Sequence, residues 1–360
     1  MANKKIVHYN MDNIDAIGAN FNLIWGERSN GKSYQVKHKK GVEKYIKDGR
    51  RFILMRRWKE EITTEKIEQY FHDIDVSKLT NGKYNCISVY RKTLYLATYD
   101  NDKGKTTRGE KIGYVVALST EQNYAGASYL DVDDIIFEEF MARGAYIAGE
   151  AEKLMNFYCT VDRKRGTTRL WLVGNTISRA CPYIIEWDLL RDVSKQKQGT
   201  IIEKELQSTE DTTVKLAIEY CEATGVSSNV IGKHADMLNA GSWQSDPQPH
   251  LPKSYKEYKV LYRIVFAFKS FKFIGEYLMD KNDKSLVWFI YPKDTDIKTN
   301  TVVISDIVNQ SHLWGRDLRS FQRLPRIQKI LDTIQESNTF YATDSCGTDF
   351  KQVIDFILRK

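Results

Sequence analysis

One short stretch constrains what this chain can fold into more than any other part of it. It consists of Gly26, Glu27, Arg28, Ser29, Asn30, Gly31, Lys32 and Ser33. The apolar residues 21–25 before it predict a buried strand, and residues 34–40 after it, which lack glycine and proline, predict a helix. Glycines at the first and sixth positions let the backbone turn tightly, so that successive N–H groups can surround a phosphate chain. The pattern in this setting predicts a P-loop.

The P-loop predicts ATP and Mg²⁺ as cofactors. We expect the backbone of the whole stretch to bind phosphate, helped by the partial positive charge at the start of the following helix. Lys32 is expected to reach the β- and γ-phosphates, and the Ser33 hydroxyl to bind Mg²⁺. The alternative is a glycine turn that merely connects a strand to a helix.

Length and composition limit the class of protein. A chain of 360 residues is too long for one ordinary core, so two domains are expected. With 28% charged residues, polar residues 1–5 and no apolar stretch of about 18 residues, we expect a cytoplasmic protein without a membrane partner. The five scattered cysteines favour neither a zinc site nor a disulfide framework. The net charge of +7 suits a polyanionic partner.

A second motif lies at residues 132–140, where an apolar strand runs into Glu138 and Glu139. Two acids at the end of an apolar strand are typical of a Walker B motif. Glu138 is expected to bind Mg²⁺ directly or through water, and Glu139 to polarise the water that attacks the γ-phosphate. An Asp is commoner at the first position. Taken alone the pattern also fits an edge strand, and the P-loop upstream favours the Walker B interpretation.

Two further strands end in polar side chains that could contact phosphate, because open α/β sheets bind ligands at the ends of their strands. Residues 51–56 predict a buried strand, and it ends in the basic residues Arg56, Arg57 and Lys59. These residues fit a solvated helix start equally well. Asn175 follows a strand predicted at residues 170–174 and could sense the γ-phosphate or simply form a turn.

The segments between these motifs are less specific. Residues 84–97 alternate and predict a β-hairpin, residues 112–118 predict a strand, and residues 151–158 predict a helix. Residues 100–111 are polar and predict an exposed loop. Its basic side chains, Lys103, Lys105, Arg108 and Lys111, make it a candidate nucleic-acid-facing loop, with a solvated turn as the default.

The second half of the chain predicts a linker and then a β-rich domain. Polar residues 195–225 predict the linker, with a helical part at 214–221, and proline-rich residues 241–252 must be irregular. A meander of hairpins is predicted from four β-rich runs at residues 260–268, 271–279, 285–291 and 301–304. Helices are expected at 327–334 and 350–358.

Four segments together carry a specific resemblance. They are N-F-N-L-I-W-G-E-R-S-N-G-K-S, F-I-L-M-R-R-W-K, I-I-F-E-E-F and V-D-R-K-R-G-T-T-R-L-W-L-V-G-N-T-I-S-R-A-C-P-Y. In this order they resemble the DNA-packaging motor ATPases of small protein-primed tailed phages, which fill a preformed prohead. The resemblance covers most of residues 15–190. It implies an α/β P-loop NTPase domain of the ASCE, FtsK-HerA-like type, with a mostly parallel sheet.

The resemblance also implies partners and residue roles. The expected assembly is a homo-oligomeric ring, commonly a pentamer, that acts on double-stranded DNA and docks on the prohead portal, in some members through a structural RNA. It would work in the host cytoplasm, transiently at the portal vertex, and be absent from the mature virion. Lys32, Ser33, Glu138 and Glu139 match the family's phosphate, metal and catalytic positions, and Arg56 its basic residue after the second strand. Arg163 falls on the arginine finger, with Arg165 two residues on; locally, a solvated basic helix end fits as well.

The C-terminal order of strands and helices resembles the RNase H-like domain attached to packaging motors, which is a metal nuclease in larger phages. A two-metal nuclease needs several converging acids. The first two predicted strands offer only Glu276, with Asp280 in the turn, so we expect a degenerate α+β nuclease-like domain. The predicted division is an ATPase domain at 1–195, a linker at 196–225 and this domain at 226–360.

These observations predict a viral DNA-packaging ATPase. A P-loop helicase or DNA-partition ATPase is the alternative within the same superfamily. A nucleic-acid-binding structural protein with a vestigial P-loop is the non-enzymatic alternative, and intact Lys32, Ser33 and Glu139 argue against it. Ring number, step size, the DNA-gripping loop and the need for RNA stay open.

Overall fold

The computed structural model describes residues 8–142, 145–209, 212–225, 239–243, 246–268, 271–293, 302–305, 314–316, 334 and 338–358. The chain forms two compact units. The first comprises Met1–Ile177 and Gln196–Ser242, and the second Ser178–Lys195 and Trp243–Lys360. Among the residues described, no helix combines the length and apolar character that crossing a membrane requires.

The first unit is built on a sheet that has nine strands in the described residues. In chain order they are β1 (Phe21–Gly26), β2 (Arg51–Arg56), β3 (Cys86–Tyr90), β4 (Thr93–Asp100), β5 (Lys105–Ala117), β6 (Val132–Glu138), β7 (Arg169–Asn175), β8 (Thr200–Thr209) and β9 (Thr212–Tyr220). Their order across the sheet is β3-β4-β5-β2-β6-β7-β1-β9-β8. The six central strands, which lie in the order β5, β2, β6, β7, β1 and β9, pair in parallel. At the two edges of the sheet, β3, β4 and β8 pair antiparallel with their neighbours.

Helices cover this sheet. They are α1 (Asp12–Ala16), α2 (Lys32–Val36), α3 (Lys44–Asp48), α4 (Thr64–Tyr70), α5 (Val76–Leu79) and α6 (Glu150–Asp162). A π-type segment, Lys37–Glu43, joins α2 to α3 in one helical stretch that starts at the end of the glycine-rich loop. The central strands have near-continuous apolar sequences, because both of their faces are buried. The first strand, β1, is buried along its whole length.

The mostly parallel P-loop fold is therefore confirmed. The strand β7 lies between β1 and β6, as expected for the branch of P-loop proteins that carries a catalytic Glu. Parallel pairing brings the carboxyl ends of these strands to one edge of the sheet, where Gly26 of β1 lies opposite Asn175 of β7. The sequence-predicted site residues from different strands consequently gather at this edge.

Two predictions about the first unit are wrong. Residues 196–225 are not a linker with a helical part, because β8 and β9 continue the large sheet and Leu216, Ala217 and Ile218 are buried beside β1. A short apolar run buried on both faces cannot be told from a helix by periodicity. Residues 100–111 are not a loop throughout, since β4 and β5 pair up to Asp100 and Lys105 and leave only a short turn. Near the turn, both faces of the hairpin formed by β4 and β5 are exposed. The sequence there consequently lacks the alternation of apolar and polar residues that would predict a strand.

The second unit contains α7 (Pro182–Glu186) and α8 (Leu190–Lys195) and then a second sheet. Its strands are β10 (Tyr258–Phe268), β11 (Phe271–Asp280), β12 (Leu286–Pro292), β13 (Val302–Ser305), β14 (Trp314–Arg316) and β15 (Thr339–Tyr341), and α9 (Asp344–Leu358) follows. The first three strands form the predicted antiparallel meander, but β13 pairs in parallel with β10. The sheet order β14-β13-β10-β11-β12-β15 agrees with the predicted RNase H-like α+β domain.

The core of the second unit lies between this sheet and α9, around Phe266, Phe273 and Phe350. The helix predicted at 350–358 is part of α9. Most of the helix predicted at 327–334 falls outside the described residues. The unit gathers Ser178–Lys195 with residues from Trp243 onward, so its limits differ from the predicted domain at 226–360.

Candidate active site

The glycine-rich loop requires its two glycines for steric reasons. A Cβ on Gly26 would lie 2.9 Å from the Cβ of Cys221, and Gly31 has a φ of +98°, which disfavours other residues. The Asn30 side chain accepts the Lys32 backbone N–H at 3.1 Å and so closes the loop at the helix start. Glu27 is buried and accepts the Thr224 N–H, whereas Arg28 and Ser29 are exposed.

Lys32 lies at the centre of the site. Its side chain is buried, and Nζ donates to the carbonyl of Glu27 at 2.7 Å and to Oδ1 of Asn175 at 2.8 Å. Burial lowers the pKa of this ammonium, while Glu138 and Glu27 oppose the shift. The Lys32 ammonium thus connects the chain just after β1 to the end of β7.

Ser33 and Glu138 meet on the other side of the loop. The Ser33 hydroxyl donates to Oε2 of Glu138 at 3.0 Å, and the Tyr70 hydroxyl donates to Oε1 at 2.7 Å. Burial raises the pKa of the Glu138 carboxyl, and these two hydrogen bonds oppose the shift. A hydroxyl and a carboxylate are the oxygen ligands that Mg²⁺ prefers, so these residues fit that ion.

Glu139 follows β6 in a left-handed conformation, with a φ of +55°. Its side chain is 64% exposed, and Oε2 accepts a hydrogen bond from Arg56 Nη2 at 2.9 Å. Arg57 instead turns inward, where it forms a bidentate ion pair with Glu150 and donates to the Glu139 carbonyl at 3.0 Å. Of the three basic residues at this strand end, Arg56 is the one whose side chain binds the predicted catalytic carboxylate, and Lys59 is exposed.

The two candidate arginine fingers differ in their surroundings. Arg163 follows α6, is exposed, and donates to the backbone carbonyls of Gly126 and Ala127. Arg165 is half-buried, and its guanidinium donates to several groups of its own unit, namely the carbonyls of Leu130, Val132, Val161 and Asp162 and the Thr168 hydroxyl. Arg165 therefore stabilises the fold of its own unit, whereas the side chain of Arg163 is accessible to solvent.

Two residues of this region, Tyr70 on α4 and Glu150 on α6, were not predicted from the sequence. Arg57 was predicted as a possible phosphate contact, whereas its guanidinium pairs with Glu150 and supports the chain after β6. Tyr70 precedes Glu138 by 68 residues, so only the tertiary fold joins the two. No local pattern marks such a partner.

In the second unit, the two acids considered for a nuclease are engaged by protein groups. Glu276 is buried, and its carboxylate accepts hydrogen bonds from Arg263, Tyr255 and Tyr291. Asp280 binds Lys253 Nζ at 2.6 Å and the Asn282 N–H at 2.8 Å. Within the described part of the chain, no group of three or more His, Cys, Asp and Glu side chains could hold a metal ion.

Comparisons with known proteins agree with this picture. The model of a family described as podovirus DNA encapsidation protein (Gp16) matches residues 3–313. A DNA packaging protein of Bacillus phage B103 is 31% identical over 180 residues, which cover 49% of this chain and 50% of the relative. One of Bacillus phage phi29 is 28% identical over 195 residues, or 53% of each chain. The chain thus spans about half the length of the curated relatives it matches.

Two solved structures share the fold over nearly the whole chain. The bacteriophage Phi-29 viral genome packaging motor assembly matches with a TM-score of 0.57 at 21% identity, and the match covers 98% of this chain and 99% of the chain in that structure. The Phi-28 gp11 DNA packaging motor has a TM-score of 0.52 at 14% identity, with 99% of both chains covered. At these identities the likeness concerns the fold alone.

Proposed function

The chain belongs to the podovirus DNA encapsidation protein (Gp16) family, and on that premise we propose that it is a viral DNA-packaging ATPase. It would couple ATP hydrolysis to the translocation of double-stranded DNA into a prohead. The observation that carries the proposal is the gathering of Lys32, Ser33, Glu138 and Asn175 at one edge of a P-loop sheet. Such a cluster is what binding a triphosphate and a hard metal ion requires.

In this proposal the backbone of residues 26–33 binds the phosphates of ATP. Lys32, whose ammonium donates to Glu27 and Asn175, would turn to the β- and γ-phosphates, and Asn175 would contact the γ-phosphate. Ser33 and Glu138 would hold Mg²⁺, which supplies positive charge against the phosphate oxygens. The low dielectric around the buried Lys32 strengthens its attraction for phosphate.

Glu139 is proposed to orient and polarise the attacking water. Its φ of +55° is uncommon for a non-glycine residue, and conformations of this kind cost about 1–3 kcal/mol and persist where their surroundings fix them. The hydrogen bond from Arg57 to the Glu139 carbonyl is one such fixing contact. Arg56 holds the exposed carboxylate by a single hydrogen bond, so a side-chain rotation can release it toward the nucleotide.

Arg163 is proposed to act in trans, as the arginine finger of the neighbouring subunit in a homo-oligomeric ring, a pentamer by resemblance. Its exposure supports this role, and the many contacts of Arg165 within its own unit disfavour Arg165. An arginine finger contributes about 10³ to 10⁵ in rate, so Arg163→Ala should bind ATP yet lose turnover. Rings mixed from Arg163→Ala and Glu139→Gln subunits should regain activity. Mixed rings as inactive as both parents would refute the role in trans.

The surface around β3, β4 and β5 is proposed to face the DNA backbone. Arg91 and Arg108 both lie over the exposed ring of Tyr90, with the Arg108 guanidinium 4.7 Å from the ring centroid. Lys103 and Lys105 add exposed positive charge at the turn of the ribbon. A motor must pass any sequence, so backbone phosphates are the groups it can hold. The portal and, by resemblance, a structural RNA would be its other partners.

The nucleotide chemistry is tested by binding and steady-state hydrolysis of ATP. Lys32→Ala should lose both, whereas Glu139→Gln should bind ATP and lose turnover, because Lys32 serves the ground state and the transition state and Glu139 only the latter. Lys47→Ala is the matched control and should retain both activities, since the exposed Lys47 of α3 pairs with Glu43 one turn earlier. Undiminished turnover in Glu139→Gln would remove that residue from the mechanism. A wild-type chain that neither binds nor hydrolyses ATP would refute the proposal.

A further inference from the structure

Tyr70, the last residue of α4, contacts the proposed metal site from outside both of its motifs. Its hydroxyl donates to Oε1 of Glu138 at 2.7 Å, while Ser33 donates to Oε2 at 3.0 Å. Each oxygen of the Glu138 carboxylate therefore has one fixed partner. One of these partners belongs to the P-loop and the other belongs to an element that no nucleotide-binding motif includes.

The Tyr70 ring is itself held in place by Lys37. The Lys37 ammonium lies 4.3 Å from the centroid of the Tyr70 ring, donates to the Tyr70 carbonyl, and pairs with Asp73 at 2.5 Å. Phe71 packs edge-on against the ring at 5.0 Å. Because Lys37 continues the helix that starts at the P-loop, the hydroxyl is positioned relative to the phosphate-binding loop.

Because residue 138 is a Glu, the hydrogen bond from Tyr70 restrains a side chain that is longer than that of an Asp. A Glu stands where an Asp is commoner, and its extra methylene adds a rotatable bond between the strand and the carboxylate. Side chains lose rotamer freedom when they are fixed, and a ligand that is fixed in advance does not lose that freedom on binding. The Tyr70 hydroxyl restrains the longer side chain while leaving the Ser33 side of the carboxylate available.

We propose that Tyr70 is a positioning residue for the Mg²⁺ site, which holds the Glu138 carboxylate beside Ser33 in the orientation that binds the ion. The inference rests on the proposed function. Outer hydrogen-bond partners of metal ligands act in this way, and their removal typically costs about 10- to 100-fold in metal affinity. The phenol hydroxyl can donate this hydrogen bond at neutral pH, where a tyrosine is protonated.

The test is Tyr70→Phe, which removes the hydroxyl and keeps the ring. Binding of a fluorescent ATP analogue is measured over a Mg²⁺ titration and again in EDTA. We expect the Mg²⁺ concentration for half-maximal binding to rise about 10-fold, with binding in EDTA unchanged. Tyr158→Phe is the matched control, because that half-buried hydroxyl donates to the Thr168 carbonyl at 2.9 Å and should leave the titration unchanged. An unchanged Mg²⁺ titration in Tyr70→Phe would overturn the inference.

A double-mutant cycle with Glu138→Asp distinguishes positioning of Glu138 from a general loss of stability in Tyr70→Phe. In Glu138→Asp we expect the side chain, which is one methylene shorter, to lose the hydrogen bond from Tyr70, so adding Tyr70→Phe should cause little further change in the Mg²⁺ titration. Equal effects of Tyr70→Phe in the wild-type and Glu138→Asp backgrounds would show that Tyr70 acts through general stability, which overturns the inference. Failure of the wild-type chain to bind nucleotide would instead refute the proposed function itself.

Discussion

The buried ion pair between Arg57 and Glu150 gives the sharpest prediction for stability. Both side chains are almost fully buried, at 4% and 0% exposure, and the guanidinium binds the carboxylate through Nε and Nη2. Arg57 also donates to the carbonyls of Glu139 and Phe140, and Glu150 accepts the Ile147 N–H. Arg57→Met removes the cation and, with it, the bidentate ion pair to the buried Glu150 carboxylate.

Removing one partner of a buried ion pair costs about 3–5 kcal/mol, because the remaining charge stays desolvated and loses the attraction of that partner. We expect Arg57→Met to lose stability in this range. The double variant Arg57→Met with Glu150→Gln removes both charges, and the amide oxygen of the new side chain can still accept the Ile147 N–H. Its loss should therefore be well below the sum of the two single losses. The control is Arg50→Met, since Arg50 is 36% exposed and its pair with Asp133 is solvent-screened, worth about 0–1 kcal/mol.

Urea unfolding of the full chain, followed by tryptophan fluorescence, measures these differences. The midpoint of the transition that contains the first unit should shift strongly in Arg57→Met and little in Arg50→Met. Equal losses in the two variants, or additive losses in the double variant, would refute the argument from burial. Because Arg57 holds the Glu139 carbonyl, the same variant should also lose ATP turnover.

Three further predictions concern pH, DNA and the second unit. Burial raises the pKa of Glu219 from 4.5 to about 7, so the native state binds this proton more tightly than the unfolded state. Stability should fall by roughly 3 kcal/mol as pH rises from about 4.5 to above 7, and thermal unfolding of Glu219→Gln over this range should show a weaker pH dependence. Duplex binding should weaken alike on unrelated sequences between about 50 and 200 mM salt, and a flat salt response or a preferred site would count against a motor. The full chain should not nick supercoiled plasmid in Mn²⁺, because Glu276 and Asp280 are engaged by protein groups; nicking that is lost in Glu276→Gln would contradict this.

The parts of the site that could be predicted from sequence are those whose chemistry requires adjacent residues. A phosphate loop needs its glycines, lysine and serine in one stretch, so its strand and helix follow from the motif. The acids Glu138 and Glu139 at the end of β6 and Asn175 at the end of β7 could be placed because parallel strands end at one edge of a sheet. The structure brings Lys32 to Asn175 and Ser33 to Glu138 in this way.

The parts that could not be predicted depend on contacts between distant residues. Tyr70, Arg57 and Glu150 act through partners that are far away in the chain, and a single sequence carries no pattern for such pairs. The strands β8 and β9 were missed because β8 is a polar edge strand and β9 is a short run whose buried residues fit helix and strand alike.

ATP-dependent protection of DNA from nuclease by proheads distinguishes a packaging motor from a helicase or another DNA-dependent ATPase. Wild-type protein, proheads, genomic DNA and ATP are mixed, and the DNA that survives added nuclease is measured. We expect protection that requires the proheads and is lost with Glu139→Gln. ATP hydrolysis by the wild-type chain without any prohead-dependent protection, or with strand separation of the duplex, would contradict packaging and favour a helicase.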